Sequence, residues 1–311
     1  MSDFHLYSDN RQQRELPVIQ RNKKINDPAL YKPSKALQDA VNVAIALGQP
    51  LLVTGEPGTG KTELAFHIAW YFNMGEPLIF NAQTTSSATD LFYKYDALGH
   101  FQYAQTQQRE LTDNEVEERY IRYQALGAAI KSSQRRVVLI DEIDKAPRDL
   151  PNDVLAAIDK LRFDVSEVKK EYTASPENRP LVIITSNSEK NLPDAFLRRV
   201  SYYHIPFPSP EVLVEILTTK IDQLKTIDLQ RIVGHFNKIR EEKQLRKNPA
   251  TAELIYWATL LQRIGFDTSK LDKTTSMAAA EKDQLLMSYS ALAKTKEDLA
   301  TLMDGLYGRG K

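Results

Sequence analysis

The chain has 311 residues, enough for about two domains, and its 42% apolar and 26% charged side chains exclude whole-chain disorder. Lysine plus arginine and aspartate plus glutamate both number 41, so the net charge is zero, which argues against nucleic acid as the main partner. There is no cysteine, which excludes disulfides, thiolate metal sites and cysteine nucleophiles.

Residues 1–27 are polar and charge-rich, with Arg11, Gln12, Gln13 and Arg14 close together, and read as an extended arm. The start, Met1-Ser2-Asp3-Phe4-His5, lacks an apolar signal region, and no apolar run reaches the roughly 18–20 residues of a membrane span. A cytoplasmic protein with no membrane partner is expected. Ser34 caps a predicted helix bearing Leu37, Val41 and Ile45, which Gly48-Gln49-Pro50 ends. Leu51-Leu52-Val53 follows as a short strand, and Thr62 opens a helix carrying Leu64, Ala65, Ile68 and Ala69 at helical spacing. Between them Gly55-Glu56-Pro57-Gly58-Thr59-Gly60-Lys61-Thr62 satisfies GxxxxGK[ST] in the strand, loop, helix context that a phosphate-binding loop requires. The glycines let backbone N–H groups point at phosphate oxygens, and the helix N-terminus adds partial positive charge. Lys61 is placed to reach the β/γ-phosphates and the Thr62 hydroxyl to take a Mg²⁺ position. The expected ligand is a nucleoside triphosphate with Mg²⁺. Spacing leaves the base open, with Leu30, Tyr31 and the C-terminal domain as its expected neighbours.

Leu78-Ile79-Phe80 is predicted as a second buried strand, Val137-Val138-Leu139-Ile140 as a third, Leu181-Val182-Ile183-Ile184 as a fourth and Tyr202-Tyr203-His204-Ile205 as a fifth. Such runs separated by helical stretches predict an α/β fold with a parallel sheet covered on both faces. Pro206, Pro208 and Pro210 mark a domain joint. Beyond it Val212, Ile216 and Leu217, then Leu229, Ile232 and Phe236, then Leu254, Trp257, Leu260 and Leu261 predict a helical domain. The stretch with Lys294, Lys296, Glu297 and Asp298 reads as a solvated helix and frayed tail. The resulting division is 1–27 arm, 28–208 nucleotide-binding domain and 209–311 helical domain with tail.

The third strand runs into Asp141-Glu142, two acids at the end of a buried strand. Asp141 is expected to hold Mg²⁺ through its water shell and Glu142 to orient and deprotonate the attacking water. The fourth strand runs into Thr185-Ser186-Asn187; inserted between the other two, it would bring the Asn187 amide beside the γ-phosphate and the lytic water.

With these motifs and Pro193-Asp194-Ala195-Phe196-Leu197-Arg198-Arg199, the chain resembles an AAA+ ATPase over about residues 28–265. The segments Asp90-Leu91-Phe92-Tyr93-Lys94-Tyr95-Asp96-Ala97-Leu98 and Lys247-Asn248-Pro249-Ala250-Thr251-Ala252-Glu253-Leu254 resemble the MoxR-type branch, including its carbon monoxide dehydrogenase maturation ATPases. The resemblance implies a P-loop NTPase sheet of order 5-1-4-3-2, a helical lid, ATP and Mg²⁺ as cofactors, and a homo-hexameric ring with nucleotide between subunits. It implies that Arg198 or Arg199 reaches the neighbour's γ-phosphate as an arginine finger. It places Lys247 as a second phosphate sensor, where arginine is commoner; Arg246 and a phosphate-remote lysine stand as alternatives. It also implies a chaperone-like remodeller of a protein client, a von Willebrand A domain protein, for metal insertion or assembly. Two other functions stay open: a nucleotide-dependent oligomeric switch in a bacterial defence or signalling system, and a DNA-acting motor.

From Phe101 to Arg135 lies a polar insert with Tyr103, Tyr120 and Tyr123, in which Thr112-Asp113-Asn114-Glu115 predicts a capping box. Its tyrosines are weighed as substrate contacts in a central channel and preferred as peripheral packing. Phe163 to Asn178 is a second insert, read as a substrate-touching hairpin or a solvated connection. The 5 histidines show no metal-ligand spacing, and His67 reads as a packing residue.

Overall fold

Apolar, β-branched segments assemble into a five-stranded parallel sheet in the computed structural model, which describes residues 15–16, 18, 22–106, 109–190, 192–241 and 245–307. The chain divides into two compact units, one of Pro33–Glu56 and Gly60–Pro206, the other of Pro57–Thr59 with the described parts of Met1–Lys32 and Phe207–Lys311.

In the first unit the strands are β1 (Leu51–Gly55), β2 (Leu78–Asn81), β5 (Val137–Asp141), β8 (Leu181–Ser186) and β9 (Ser201–Ile205), in the order β2-β5-β8-β1-β9. Numbered among themselves this is the expected 5-1-4-3-2. The central strands are buried throughout their apolar lengths, as a parallel sheet covered on both faces requires. β2 is an edge, however, with Ile79 42% exposed, so the expectation of a second buried strand is corrected. Its run of three apolar residues resembles a core strand because periodicity cannot report how many neighbours a strand has.

Helix α1 (Lys35–Leu47) begins where the Ser34 hydroxyl accepts from the Leu37 N–H and ends at Gly48 in the left-handed region. It buries Leu37, Val41 and Ala44, leaving Ile45 outward. Helix α2 (Lys61–Tyr71) buries Leu64, Ala65, Ile68 and Ala69. His67 lies tilted beside the Trp70 and Tyr71 rings.

Both inserts turn inward. Strands β3 (Tyr93–Tyr95) and β4 (Ile121–Tyr123) form an antiparallel ribbon with helices α3 (Ala97–Thr106), α4 (Asp113–Tyr120) and α5 (Ala125–Lys131) around it. The Thr112/Glu115 capping box starts α4. After helix α6 (Leu150–Lys160), β6 (Arg162–Val165) and β7 (Lys170–Thr173) make an antiparallel hairpin whose Phe163, Val165 and Val168 join the core. The inserts meet at Glu117. Its carboxylate accepts from Lys131 Nζ (2.5 Å), Lys170 Nζ (2.5 Å), Tyr123 OH (2.5 Å) and Tyr172 OH (2.6 Å), while Lys131 lies over both tyrosine rings. Tyr123 is therefore a packing residue, and Tyr120 stacks on His100.

Burial penalises the Glu117 charge, but its four donors win and hold its pKa well below the ordinary carboxylate range. A depressed folded-state pKa adds stability above the unfolded value, 4.5, and loses it as pH falls through the folded one. Glu117→Gln is expected to cost about 2 kcal/mol at neutral pH, somewhat less than breaking a fully buried pair. The gap should begin to narrow as pH falls below 4.5, where the unfolded carboxylate takes up its proton, and keep narrowing as pH falls towards the depressed folded value. Urea melts across pH check this, and a gap constant with pH would rule it out.

In the second unit, residues 22–32, expected as arm and large domain, form two 3₁₀ turns, Lys23–Asn26 and Pro28–Leu30. They dock on α8 (Pro210–Lys220): the buried Lys220 ammonium donates to the Lys24 and Ile25 carbonyls at 2.8 Å, and Asn22 donates to the Lys220 carbonyl. The rest of the expected arm, with His5, lies outside the described residues except Glu15, Leu16 and Val18. On α8 the buried pair is Leu213 and Leu217, and Val212 points outward. α9 (Thr226–Glu241) and α10 (Thr251–Arg263) bury Leu229, Ile232, Phe236, Leu254, Trp257 and Leu261 as expected, followed by α11 (Ala279–Ser288). The last helix, α12 (Lys296–Tyr307), is not a solvated tail. It buries Leu302 and Leu306, and Asp298, 1% exposed, accepts from the Arg246 N–H at 2.7 Å. Dense charge at its start concealed the apolar stripe behind it. Residues 308–311 of the expected tail lie outside the description.

Candidate active site

The phosphate-binding loop leaves β1 and enters α2 through glycines at φ +74° (Gly58) and +89° (Gly60), values that L side chains rarely adopt. Helix α2 has no side-chain cap at Gly60, so its first N–H groups remain available to an anion. Lys61 folds back over the loop and is only 7% exposed. Its ammonium donates to the carbonyls of Gly55 (2.9 Å) and Glu56 (3.0 Å) and to Asn187 Oδ1 (3.0 Å). Burial pushes the Lys61 pKa down, against the pull of Asp141, Asp144 and Glu142.

β5 ends at Asp141, whose carboxylate receives the Thr62 hydroxyl at 3.2 Å. These are two hard oxygen donors, the chemistry Mg²⁺ takes, with phosphate and water to complete its shell. Among the described residues no group of three or more His, Asp or Glu could hold a metal alone.

Glu142 follows in a left-handed conformation, φ +57°, unusual for a residue with a long side chain. Thr185, buried on β8, fixes this turn: its hydroxyl donates to Asp141 Oδ1 (2.5 Å) and accepts from the Glu142 N–H (2.9 Å). Two further neighbours complete the cluster. Asp144 Oδ1 accepts from the Asn187 N–H at 3.3 Å, and Lys145 Nζ donates to Glu142 Oε2 at 2.5 Å. That hydrogen bond raises the Lys145 pKa. Sequence reading missed Thr185, Asp144 and Lys145. Only Thr185 left a signal, a hydroxyl at the end of an otherwise apolar strand.

The structure thus brings Lys61, Thr62, Asp141, Glu142 and Asn187 together through β8, which lies between β1 and β5. Arg198 and Arg199 lie elsewhere, exposed at the end of the short helix α7 (Asp194–Leu197), which buried Phe196 anchors; no described carboxylate pairs with either. Lys247 and Arg246 belong to the other unit, exposed in the bend before α10.

The sequence profile of the AAA domain, dynein-related subfamily, matches residues 50–200. Over that segment the chain is similar to this AAA domain. The chain is an ATP-hydrolysing enzyme that takes ATP with Mg²⁺. Two RuvB point mutants of Thermotoga maritima are similar solved structures. One is 15% identical at a TM-score of 0.48, with 89% of this chain and 77% of that one covered. The other is 16% identical at 0.46, with 89% and 76% covered. No curated protein matches the chain. Among the described residues, no helix is long and apolar enough to cross a membrane.

Proposed function

We propose that this AAA ATPase is a MoxR-like, ring-forming remodeller that couples ATP hydrolysis to assembly, metal insertion or activation of a protein client. Glu142 takes the proton of the attacking water, which Asn187 orients against the γ-phosphate. Lys61 leaves its loop carbonyls for phosphate oxygens. Thr62 and Asp141 hold Mg²⁺, which supplies Lewis-acid charge neutralisation when bound. Arg198 or Arg199 of a neighbour in a homo-hexamer supplies charge to the transition state, and Lys247 senses the phosphates from the lid. A von Willebrand A domain protein as the client, and the cytoplasm as its place, remain with the MoxR resemblance.

One observation carries the reading: the hydrolytic groups converge within one unit while an arginine pair stands exposed and without a carboxylate partner on the same unit. The test is steady-state ATP and GTP hydrolysis against protein concentration. Activity per subunit should rise with concentration and fall about 10³-fold in Arg198→Ala/Arg199→Ala. Concentration-independent turnover that ignores the arginines would overturn the ring mechanism.

The Lys145–Glu142 contact favours a second reading, a slowly hydrolysing switch in defence or signalling. An ammonium held on the general base restrains it until nucleotide or partner draws the lysine away. The pair is half-exposed, 54% and 43%, so solvent screens it and its hold on Glu142 is weak. Lys145→Ala is therefore expected to raise basal kcat about two- to five-fold. Unchanged or lower turnover would remove the support this contact gives.

A further inference from the structure

The nucleotide site occupies the C-terminal ends of the strands, where β1, β5 and β8 deliver Gly55, Asp141 and Ser186. At the opposite edge lies a second cavity, a strand length away, about 20 Å for six residues. Its volume is about 150 Å³. Ile45 of α1, Phe72 and Met74 after α2, and Leu181 of β8 form its apolar wall. Arg135 and Arg179, from the turns leading into β5 and β8, stand in the same lining.

We propose that this cavity is a docking pocket for an acidic, apolar-anchored protein segment: one aromatic or branched side chain in the cavity, flanked by carboxylates on Arg135 and Arg179. Size speaks for the anchor, since an apolar cavity of about this volume accepts a benzene ring. The mouth is open to a partner, because Phe72 (44% exposed) and Ile45 (37%), both in the cavity lining, face solvent at the ends of α2 and α1. Charge speaks for the flanks. On this unit Lys131, Lys170 and Arg162 hold carboxylates, whereas among the described residues Arg198 and Arg199 do not. Arg135 and Arg179 have none among the described residues, although they share one cavity. Two like charges over an apolar wall call for anionic groups, and the planar guanidinium fork suits carboxylates bidentately. A central apolar anchor within a polar, charge-matched rim is how interface hot spots are organised. Phosphate alone would leave the apolar wall unused.

The probe is a fluorescein-labelled pentapeptide, Asp-Asp-Phe-Asp-Asp, titrated with the full chain by fluorescence polarisation. Replacing its Phe by Ala, or its Asp residues by Lys, is expected to weaken binding at least tenfold, as is Arg135→Glu/Arg179→Glu. Ile45→Glu, which puts a carboxylate at the mouth, should do the same while ATP hydrolysis and the thermal transition stay as in wild type. That separates this pocket from the nucleotide site and from misfolding. Absence of binding, equal binding of the Phe and Ala peptides, or binding that survives both variants overturns the proposal. So does a change in oligomeric state on Ile45→Glu without peptide binding, which would assign the surface to a second copy of this chain.

Discussion

Glu142→Gln is expected to stop turnover and spare binding: kcat should fall about 10²–10⁴-fold while MgATP affinity stays within a factor of a few. The geometry separates the two effects. Glu142 touches neither Lys61 nor Thr62; its backbone N–H is held by Thr185 and its side chain by Lys145. An amide keeps the shape of the side chain but cannot take a proton from water. The turn that aims it rests on the Thr185 hydroxyl, so the loop should hold its conformation. Single-turnover hydrolysis with labelled ATP, next to equilibrium binding of a fluorescent analogue, reads both quantities. Loss of binding in step with kcat would mean that Glu142 supports the nucleotide rather than the water. Thr185→Val should reproduce part of the loss, because it removes the anchor of Asp141 and Glu142 together.

Lys61→Ala should fail earlier, at binding. In the free protein the ammonium satisfies two loop carbonyls and the Asn187 amide, and it lies among the charges of Asp141, Asp144 and Glu142. Removing it leaves those carboxylates facing a triphosphate with no protein cation between them. Hydrogen bonds to charged partners contribute about 1.5–3 kcal/mol each, so ATP affinity should drop roughly 100-fold or more, with hydrolysis below detection. There is a pH signature as well. Burial lowers the Lys61 pKa, so wild-type affinity should begin to fall at a less alkaline pH than an ordinary lysine would impose. The alanine variant should lack that fall. Isothermal titration between neutral and alkaline pH checks both, and near-wild-type affinity in the variant would remove Lys61 from the phosphate site.

Lys61, Glu142 and Asn187 are legible as candidates in the sequence because the motifs that carry them are local, whereas Thr185 shows only as a hydroxyl ending an apolar strand. A GxxxxGK[ST] loop between a strand and a helix, two acids closing a buried strand, and an amide closing the next are each short-range statements about backbone direction. The strand between β1 and β5 then brings them together. What could not be read depends on partners far along the chain. Glu117 meets Tyr172 across 55 positions, and nothing near either residue announces the other. For the tyrosines of the first insert the sequence leaves a substrate role open beside the preferred packing role, because tyrosine suits a wet surface and a packed core equally well. Asp298 sits in a charged run, yet its burial is decided by Arg246, 52 residues earlier. Lys145 escaped notice for another reason: an i,i+3 pair is routine on helices, and its meaning comes only from which carboxylate it engages.

The left-handed backbone at Glu142 sets selection for stability against selection for turnover. Holding a residue with a Cβ in that region costs about 1–2 kcal/mol, which glycine would not incur. A library screened for heat resistance alone should therefore accumulate Glu142→Gly, chains that outlast the parent and hydrolyse nothing. Thermal robustness at this position is gained by giving up the chemistry, so directed evolution of this ATPase has to select for activity in every round.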